Sequence, residues 1–200
     1  MIINNLNNNI KELVLNDNYD TKIKRFPYNL EKLKLGKNYI YEISELPPNL
    51  KYLDIGESYN YPLDNLPPNL ETLILSGSFN NFINYPPNLK YLILSPNLIF
   101  CPNLTILPPK LVYLSLPNLN TGEIIDKLPD SIMCISLGDN YLGEITVFPK
   151  NLVKLKLSKN FKYFFNELPE TIKRIELYPN YPFFDEMTIK FPYIEFIKIK

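Results

Sequence analysis

The side chains that most often carry out catalysis are few and scattered in this sequence. Histidine is absent, which excludes Ser-His-Asp and Cys-His nucleophile systems and the common zinc sites that need imidazole. Cys101 and Cys134 cannot hold zinc by themselves and are too few for a secreted disulfide framework, so we expect reduced thiols. The six glycines form no phosphate-binding loop. We therefore expect no enzymatic activity, no cofactor and no metal.

Paired carboxylates are the remaining route to acid–base chemistry, as in carbohydrate-active enzymes built from parallel coils. Asp54 and Glu176 occupy equivalent outward positions of predicted strands six turns apart. That separation is about 29 Å at about 4.8 Å per strand, whereas paired glycosidase carboxylates need about 5–9.5 Å. An outlying alternative is a pair on a loop face, such as Asp185 with Glu186.

The charge balance argues for a protein partner. Lys plus Arg and Asp plus Glu number 21 each, so no net field attracts nucleic acid or an anionic membrane, and we expect neither as a partner. Residues 1–9 lack the basic and apolar regions of a signal peptide. No stretch approaches the about 20 apolar residues of a membrane span. We expect an intracellular, cytoplasmic protein.

One pattern, Leu-x-x-Leu-x-Leu with Ile substitutions, organises the whole chain. It recurs at steps of 19–22 residues, close to the range of leucine-rich repeats, and begins at Ile10, Leu30, Leu50, Leu70, Leu89, Leu111, Ile132, Leu152, Ile172 and Ile194. Alternation at its second and third apolar positions predicts short strands that stack into a parallel sheet. The strands are predicted near residues 12–16, 32–36, 52–56, 72–76, 91–95, 113–117, 134–138, 154–158, 174–178 and 196–200.

The rest of each turn adds apolar side chains and proline. Pairs such as Pro47-Pro48 fix φ, remove donors and favour extended corners. One inward row is predicted to be aromatic, with Thr121 as its exception: Tyr19, Tyr39, Tyr59, Phe79, Phe100, Tyr141, Phe161 and Phe183. A second inward row is Ile3, Ile23, Ile43, Leu63, Phe82, Leu104, Ile125, Ile145, Phe165 and Met187. The sequence predicts a mainly β, right-handed, leucine-rich-repeat-like solenoid over residues 1–200, a single domain of about ten turns with little or no helix.

The motif spacing resembles the FNIP repeats of social amoebae and giant viruses, which are related to leucine-rich repeats. The residues that carry the resemblance are 59–63 (Tyr-Asn-Tyr-Pro-Leu), 66–70 (Leu-Pro-Pro-Asn-Leu) and the next turn's 79–83 (Phe-Asn-Asn-Phe-Ile). Many such proteins look like substrate receptors that carry an F-box for recruitment to a ubiquitin ligase. Nine residues precede Ile10, too few for an F-box bundle, so we expect that role not to carry over directly. A viral source would imply the host cytoplasm.

The side chains at the outward positions of the sheet do not contribute to the hydrophobic core, and they form the candidate binding site. Two outward rows are predicted, and in the last strand they end at Phe196 and Lys198. Charge lies toward both ends of the sheet, and the middle presents Tyr52, Thr72, Ile74, Tyr91, Ile93, Tyr113 and Ser115. Tyrosine-rich centres rimmed by charge are typical of interface hot spots. Alternatively, these residues only stack as favourable β-formers. The residues that follow the first apolar position of successive motifs alternate in charge, which indicates a cross-strand ladder that sets register. They are Lys11, Glu31, Lys51, Glu71 and Lys90.

The sequence therefore predicts a non-enzymatic module that binds a protein partner, of unspecified identity, through the centre of the sheet. Two alternatives remain open. The first is a structural protein that self-assembles weakly end to end, because an open solenoid exposes sheet edges. The second is the substrate-recognition part of a ubiquitin-ligase adaptor, as the resemblance implies.

Overall fold

A computed structural model describes residues 6–99, 104, 106–118 and 128–200. Its regular secondary structure consists almost entirely of short strands, and most of the described residues lie in the turns and irregular segments between them. The strands are β1 (Glu12–Val14), β2 (Lys32–Lys34), β3 (Tyr52–Asp54), β4 (Thr72–Leu75), β5 (Tyr91–Leu94), β6 (Tyr113–Ser115), β7 (Cys134–Ser136), β8 (Lys154–Lys156), β9 (Arg174–Leu177) and β10 (Glu195–Lys198). Between β9 and β10 lies α1 (Phe184–Lys190), the one helix within the described residues.

The ten strands form one parallel sheet in the order of the sequence. Each strand pairs only with its sequence neighbours, so the chain winds through one strand per turn and stacks the turns in a solenoid. The prediction of a mainly β, leucine-rich-repeat-like solenoid is confirmed. The strands begin at the predicted residues except β10, which begins at Glu195 and not at Phe196.

Apolar side chains from every turn fill the space behind the sheet. Leu33, Leu53 and Leu73 lie at the centre of their strands and are 0% exposed, because alternate side chains of a strand point to opposite faces. Tyr39, Tyr59 and other members of the aromatic row pack behind them. No turn has a closed core of its own, so each turn depends on its neighbours for burial.

Two hydrogen-bonded turns per repeat allow such short coils to close. At the proline corner, the Leu50 N–H donates to Pro47 O at 3.1 Å, with Pro48 at a position where its fixed φ favours a turn. After the strand, the Tyr39 N–H donates to Gly36 O at 3.2 Å. Both bonds recur in neighbouring turns, and together they return the chain to its next strand in about twenty residues.

Glycine occurs where two turns approach most closely. A Cβ at Gly36 would lie 2.1 Å from Asn16 O, and one at Gly77 would lie 2.1 Å from Glu57 O. Gly77 also has a φ of 55°, which other residues rarely adopt. These positions need glycine because a side chain would push adjacent coils apart.

Two predictions for the inward rows are wrong. Phe82 is 75% exposed, and Ile83 is buried in its place at 8%. Ile83 follows Phe79 by four residues, as Leu63 follows Tyr59, so the residue missing from this short turn is lost after Ile83. Near the end of the chain, Tyr181 is buried at 6% and Phe183 is only half-buried.

Some predicted inward residues fall outside the described part of the chain. These are Ile3, Phe100, Thr121 and Ile125. Leu98 follows Asn97 directly, as Tyr39 follows Asn38, and is 2% exposed. Leu98 therefore fills the place of the aromatic residue in its turn.

Candidate protein-interaction face

The seven predicted site residues lie in two rows on adjacent strands, and we call them the central face. In the first row, Tyr52 of β3 pairs with Thr72 of β4, which pairs with Tyr91 of β5 and then with Tyr113 of β6. In the second row, Ile74 pairs with Ile93, which pairs with Ser115. The parallel register thus brings together residues that are far apart in the sequence.

The middle of the central face is a shallow open depression. Thr72, Tyr91, Ile93 and Tyr113 line it, and its volume is about 420 Å³. Tyr91 is 44% exposed, and its ring centroid lies 6.4 Å from that of Tyr113 at an angle of 38°. The two rings are within the distance of favourable aromatic pairs and form a wall that a partner's apolar side chain could contact.

The remaining members of the central face are half-buried. Tyr52 lies at the edge, where Lys32 Nζ is 5.4 Å from its ring centroid. Burial raises the pKa of the Tyr52 hydroxyl, and the nearby Asp54 carboxylate raises it further. This phenol therefore stays protonated at neutral pH and can donate a hydrogen bond.

Asp54 lies at the border of the central face, and its carboxylate is held by neighbouring residues. Its side chain is buried within β3. Its Oδ1 accepts from the Gly56 N–H at 3.1 Å, and its Oδ2 lies 3.4 Å from Lys34 Nζ. With its oxygens engaged in this way, Asp54 holds the bend after β3.

Charged side chains flank the face on both sides and pair mostly with each other. Lys32 Nζ lies 2.8 Å from Glu12 Oε1 on the β1 side. On the β8 side, Lys154 contacts Glu176 at 2.5 Å, and Arg174 contacts Glu195 at 2.8 Å. Lys156 has no ion-pair partner among the residues that the structure describes.

The prediction that Phe196 and Lys198 occupy the outward rows is wrong. Glu195 lies beside Arg174, and Phe196 lies beside the buried Ile175 and packs against the core. Ile197, not Lys198, lies beside Glu176. The final turn reaches its strand one residue early, after α1 and the Phe191 corner, and a slip of one residue turns every side chain to the opposite face.

The alternating row beside the strands forms three of its four expected ion pairs, since Lys51 pairs with Glu31 and not with Glu71. Glu31 is bridged by Lys11 at 2.8 Å and by Lys51 at 2.7 Å, and Lys90 lies 3.1 Å from Glu71. Hydrogen bonds from the two lysines lower the pKa of Glu31 to about 2. The row lines a polar groove of about 630 Å³ with Asn29, Asn49 and Asn69. The pairs join neighbouring turns, as a register-setting ladder requires.

Asp54 and Glu176, the first carboxylates considered for catalysis, do not meet. Asp54 and Glu176 belong to β3 and β9, which are six strands apart in the sheet, and each is engaged by a lysine. Asp185 and Glu186 are exposed in the first turn of α1. Within residues 6–99, 104, 106–118 and 128–200, no group of three or more Cys, Asp or Glu could hold a metal ion. No helix in that part of the chain is long and apolar enough to cross a membrane.

The face without charge is longer than the sequence interpretation proposed. Cys134 of β7 lies beside Tyr113, and Ser136 lies beside Ser115. Cys134 is a half-buried free thiol whose pKa is raised, mainly by burial, and Cys101 lies outside the described residues. The absence of charge at both outward positions of β7 is visible in the sequence and could have extended the site to this strand.

Comparisons with known proteins agree with this architecture. Residues 21–58 and 38–78 match the FNIP repeat family model. The structure is similar to that of CroV588, described as a novel circular LRR protein, with a TM-score of 0.69, 25% identity, and coverage of 90% of this chain and 32% of CroV588. It is also similar to YopM from Yersinia enterocolitica WA-314, with a TM-score of 0.58, 27% identity, and coverage of 90% of this chain and 41% of YopM. The chain thus spans less than half the length of either protein. No curated protein sequence matches it.

Proposed function

We infer that this chain, whose residues 21–78 are FNIP repeats in a leucine-rich-repeat-like solenoid, binds a protein partner through the central face. Solenoids of this kind are typical interaction scaffolds, since stacked repeats present an extended surface. The observation that carries the proposal is the uncharged Tyr and Ile centre on adjacent strands, flanked by charged strands. An exposed aromatic and aliphatic centre with a polar rim is the usual make-up of a protein contact site.

The chemistry of the central face suits binding and not catalysis. Its polar side-chain atoms are hydroxyl groups of tyrosine, threonine and serine, which donate and accept hydrogen bonds. Asp54, the carboxylate beside Tyr52, is engaged by the Gly56 N–H and by Lys34, so it is not free to act as the base that an activated hydroxyl needs. The aromatic rings of the central face offer large contact areas at little cost in side-chain entropy. We propose that the protein acts without enzymatic activity of its own, inside the cell.

Paired substitutions in the centre of the face test the proposal. Tyr91→Asp with Ile93→Asp introduces two carboxylates into the depression, and truncating or charging an interface hot spot of at least about 2 kcal/mol weakens binding about thirtyfold. Proteins captured from the native cell by the unaltered chain should be lost by this variant. Circular dichroism should show that the variant still folds.

A matched control carries the same two substitutions away from the face. Tyr28 is 57% exposed and Ile40 is 56% exposed, so Tyr28→Asp with Ile40→Asp changes charge and residue type equally. This control should retain every captured protein. If the face variant captures the same proteins as the unaltered chain, binding through the central face is refuted.

Self-association through the sheet edges is the competing proposal. Light scattering over a range of concentrations separates it from binding to a different protein. A mass that rises with concentration, and that the face variant leaves unchanged, would favour end-to-end assembly.

A further inference from the structure

The uncharged part of the sheet is a stripe that runs along the stacking axis, and its length can be compared with secondary structures of a partner. From Tyr52 on β3 to Cys134 on β7, the first outward row crosses five strands without a charged side chain. At about 4.8 Å per strand, the stripe is about 19 Å long. It is at most two outward residues wide. Its shape therefore suits one rod-like secondary-structure element of a partner that lies across the strands.

An amphipathic helix matches the strand spacing. Apolar residues on one helical face advance by three or four positions, or about 5.3 Å at about 1.5 Å per residue. Three such helical advances exceed three strand spacings by about 1.4 Å in total. Small movements of the side chains can accommodate that difference. One apolar side chain of the helix can therefore contact each of four successive strands.

An extended segment does not match. Its side chains on one face advance by two residues, or about 6.8 Å. Over three strand spacings, the mismatch with the sheet is about 6 Å, more than one full strand. A partner strand laid along the stacking axis would therefore lose register with the depression that Tyr91 and Tyr113 line.

The charges at the two ends of the stripe differ. The outward positions of β1–β3 carry two basic and two acidic residues, whereas those of β8–β10 carry Lys154, Lys156 and Arg174 against Glu176 and Glu195. The β8–β10 end is therefore net positive whichever pairs form. A partner with an acidic residue at this end would complement the charge that Lys156 contributes.

We propose that the occupant of the central face is an amphipathic α-helix of a protein partner. The helix lies along the stacking axis, places apolar residues at i, i+3 or i+4, i+7, and i+10 or i+11 over β3 to β6, and carries an acidic residue near β8. This inference rests on the proposed function, because it names the partner class for the same face. About thirteen helical residues cover the stripe at about 1.5 Å each.

Selection from a displayed library of random twenty-residue segments tests the partner class while the partner itself is unidentified. Four baits are compared: the unaltered chain, Tyr91→Asp with Ile93→Asp, Lys156→Glu, and Lys159→Glu as a matched control in an exposed turn beyond β8. Segments that bind the unaltered chain and fail to bind the Tyr91/Ile93 variant are face-dependent. Their sequences are then aligned, and representative synthetic peptides are measured by circular dichroism with and without the protein.

We expect face-dependent segments to have apolar residues at three- and four-residue spacing, to become helical on binding and to carry Asp or Glu at one end. Lys156→Glu should weaken the acidic segments about threefold to tenfold, and Lys159→Glu should leave them unchanged. Apolar residues at every second position, or peptides that bind without forming helix, would overturn the helix proposal while leaving binding through the face intact. A library that yields no face-dependent segment would count against the proposed function as well.

Discussion

Two tyrosines at equivalent positions in neighbouring turns should respond oppositely to loss of the hydroxyl group. The Tyr39 hydroxyl accepts a hydrogen bond from the Ile23 N–H at 3.3 Å, and Ile23 is 2% exposed. The Tyr59 hydroxyl is buried without a hydrogen-bond partner among the described residues. The nearby Ile43 N–H partly offsets the rise in the Tyr59 pKa that burial causes, but its geometry is poorer than that of the Ile23 N–H and falls outside hydrogen-bond limits.

The expected magnitudes follow from these contacts. Tyr39→Phe leaves a buried N–H without its acceptor, which costs about 1–3 kcal/mol. Tyr59→Phe removes a buried, unpaired hydroxyl, and should leave the free energy of unfolding unchanged or raise it by up to about 1 kcal/mol. In other turns, the equivalent position is occupied by Phe79 and Phe161, and both are buried. Phenylalanine therefore fits the space that Tyr59 fills.

Thermal unfolding followed by circular dichroism measures the difference between the two variants. A gap of about 2 kcal/mol corresponds to about 4–8 °C in Tm for a chain of this size. The unaltered protein is the reference, and the double variant should show additive changes because the two hydroxyls share no partner. Equal destabilisation by Tyr39→Phe and Tyr59→Phe would refute the reasoning.

Three further predictions concern stability. Burial raises the pKa of Tyr59 from 10.0 to about 12, so the unfolded chain loses this proton at lower pH than the folded chain does. The stability that this group contributes below pH 10 should therefore decline between pH 10 and 12, and an equally steep decline in Tyr59→Phe would contradict this. Gly77→Ala should destabilise by at least about 2 kcal/mol in urea titrations, since its Cβ would meet a backbone oxygen at 2.1 Å, while Ser78→Ala at the exposed neighbour should not. Leu73 is 0% exposed, so Leu73→Ala should lower the free energy of unfolding by about 2–5 kcal/mol. Val14 is 54% exposed, so Val14→Ala should lower it by less than about 0.5 kcal/mol, and similar losses in the two variants would contradict the assigned faces.

The positions of the strands could be predicted from the sequence because each repeat carries its own signal. Leu33, Leu53 and Leu73 stand at the same place in a motif of nearly constant length, and each is fully buried. A parallel sheet then follows, since equivalent residues of stacked turns must lie side by side. The central face follows from the same count, because residues between buried positions must point outward.

The errors occurred where the length of a turn changes. Counting back from the strand placed Phe82 inside, but the deletion lies after Ile83, which keeps its distance from the buried Phe79. Counting in the last turn placed Phe196 outside, but the chain enters β10 one residue early. A one-dimensional pattern shows that a residue is missing, whereas packing decides where the loss is absorbed.

The sequence by itself determined the architecture, since a short apolar motif repeated in register admits few folds other than a stack of parallel strands. It also indicated which residues face outward in turns of standard length. Only the tertiary structure decided the register of the last strand and the position of α1, as well as the pairing of the charges that flank the central face. These depend on contacts between turns, and a side chain such as Lys156 acquires its neighbours only when residues about twenty positions away are stacked beside it.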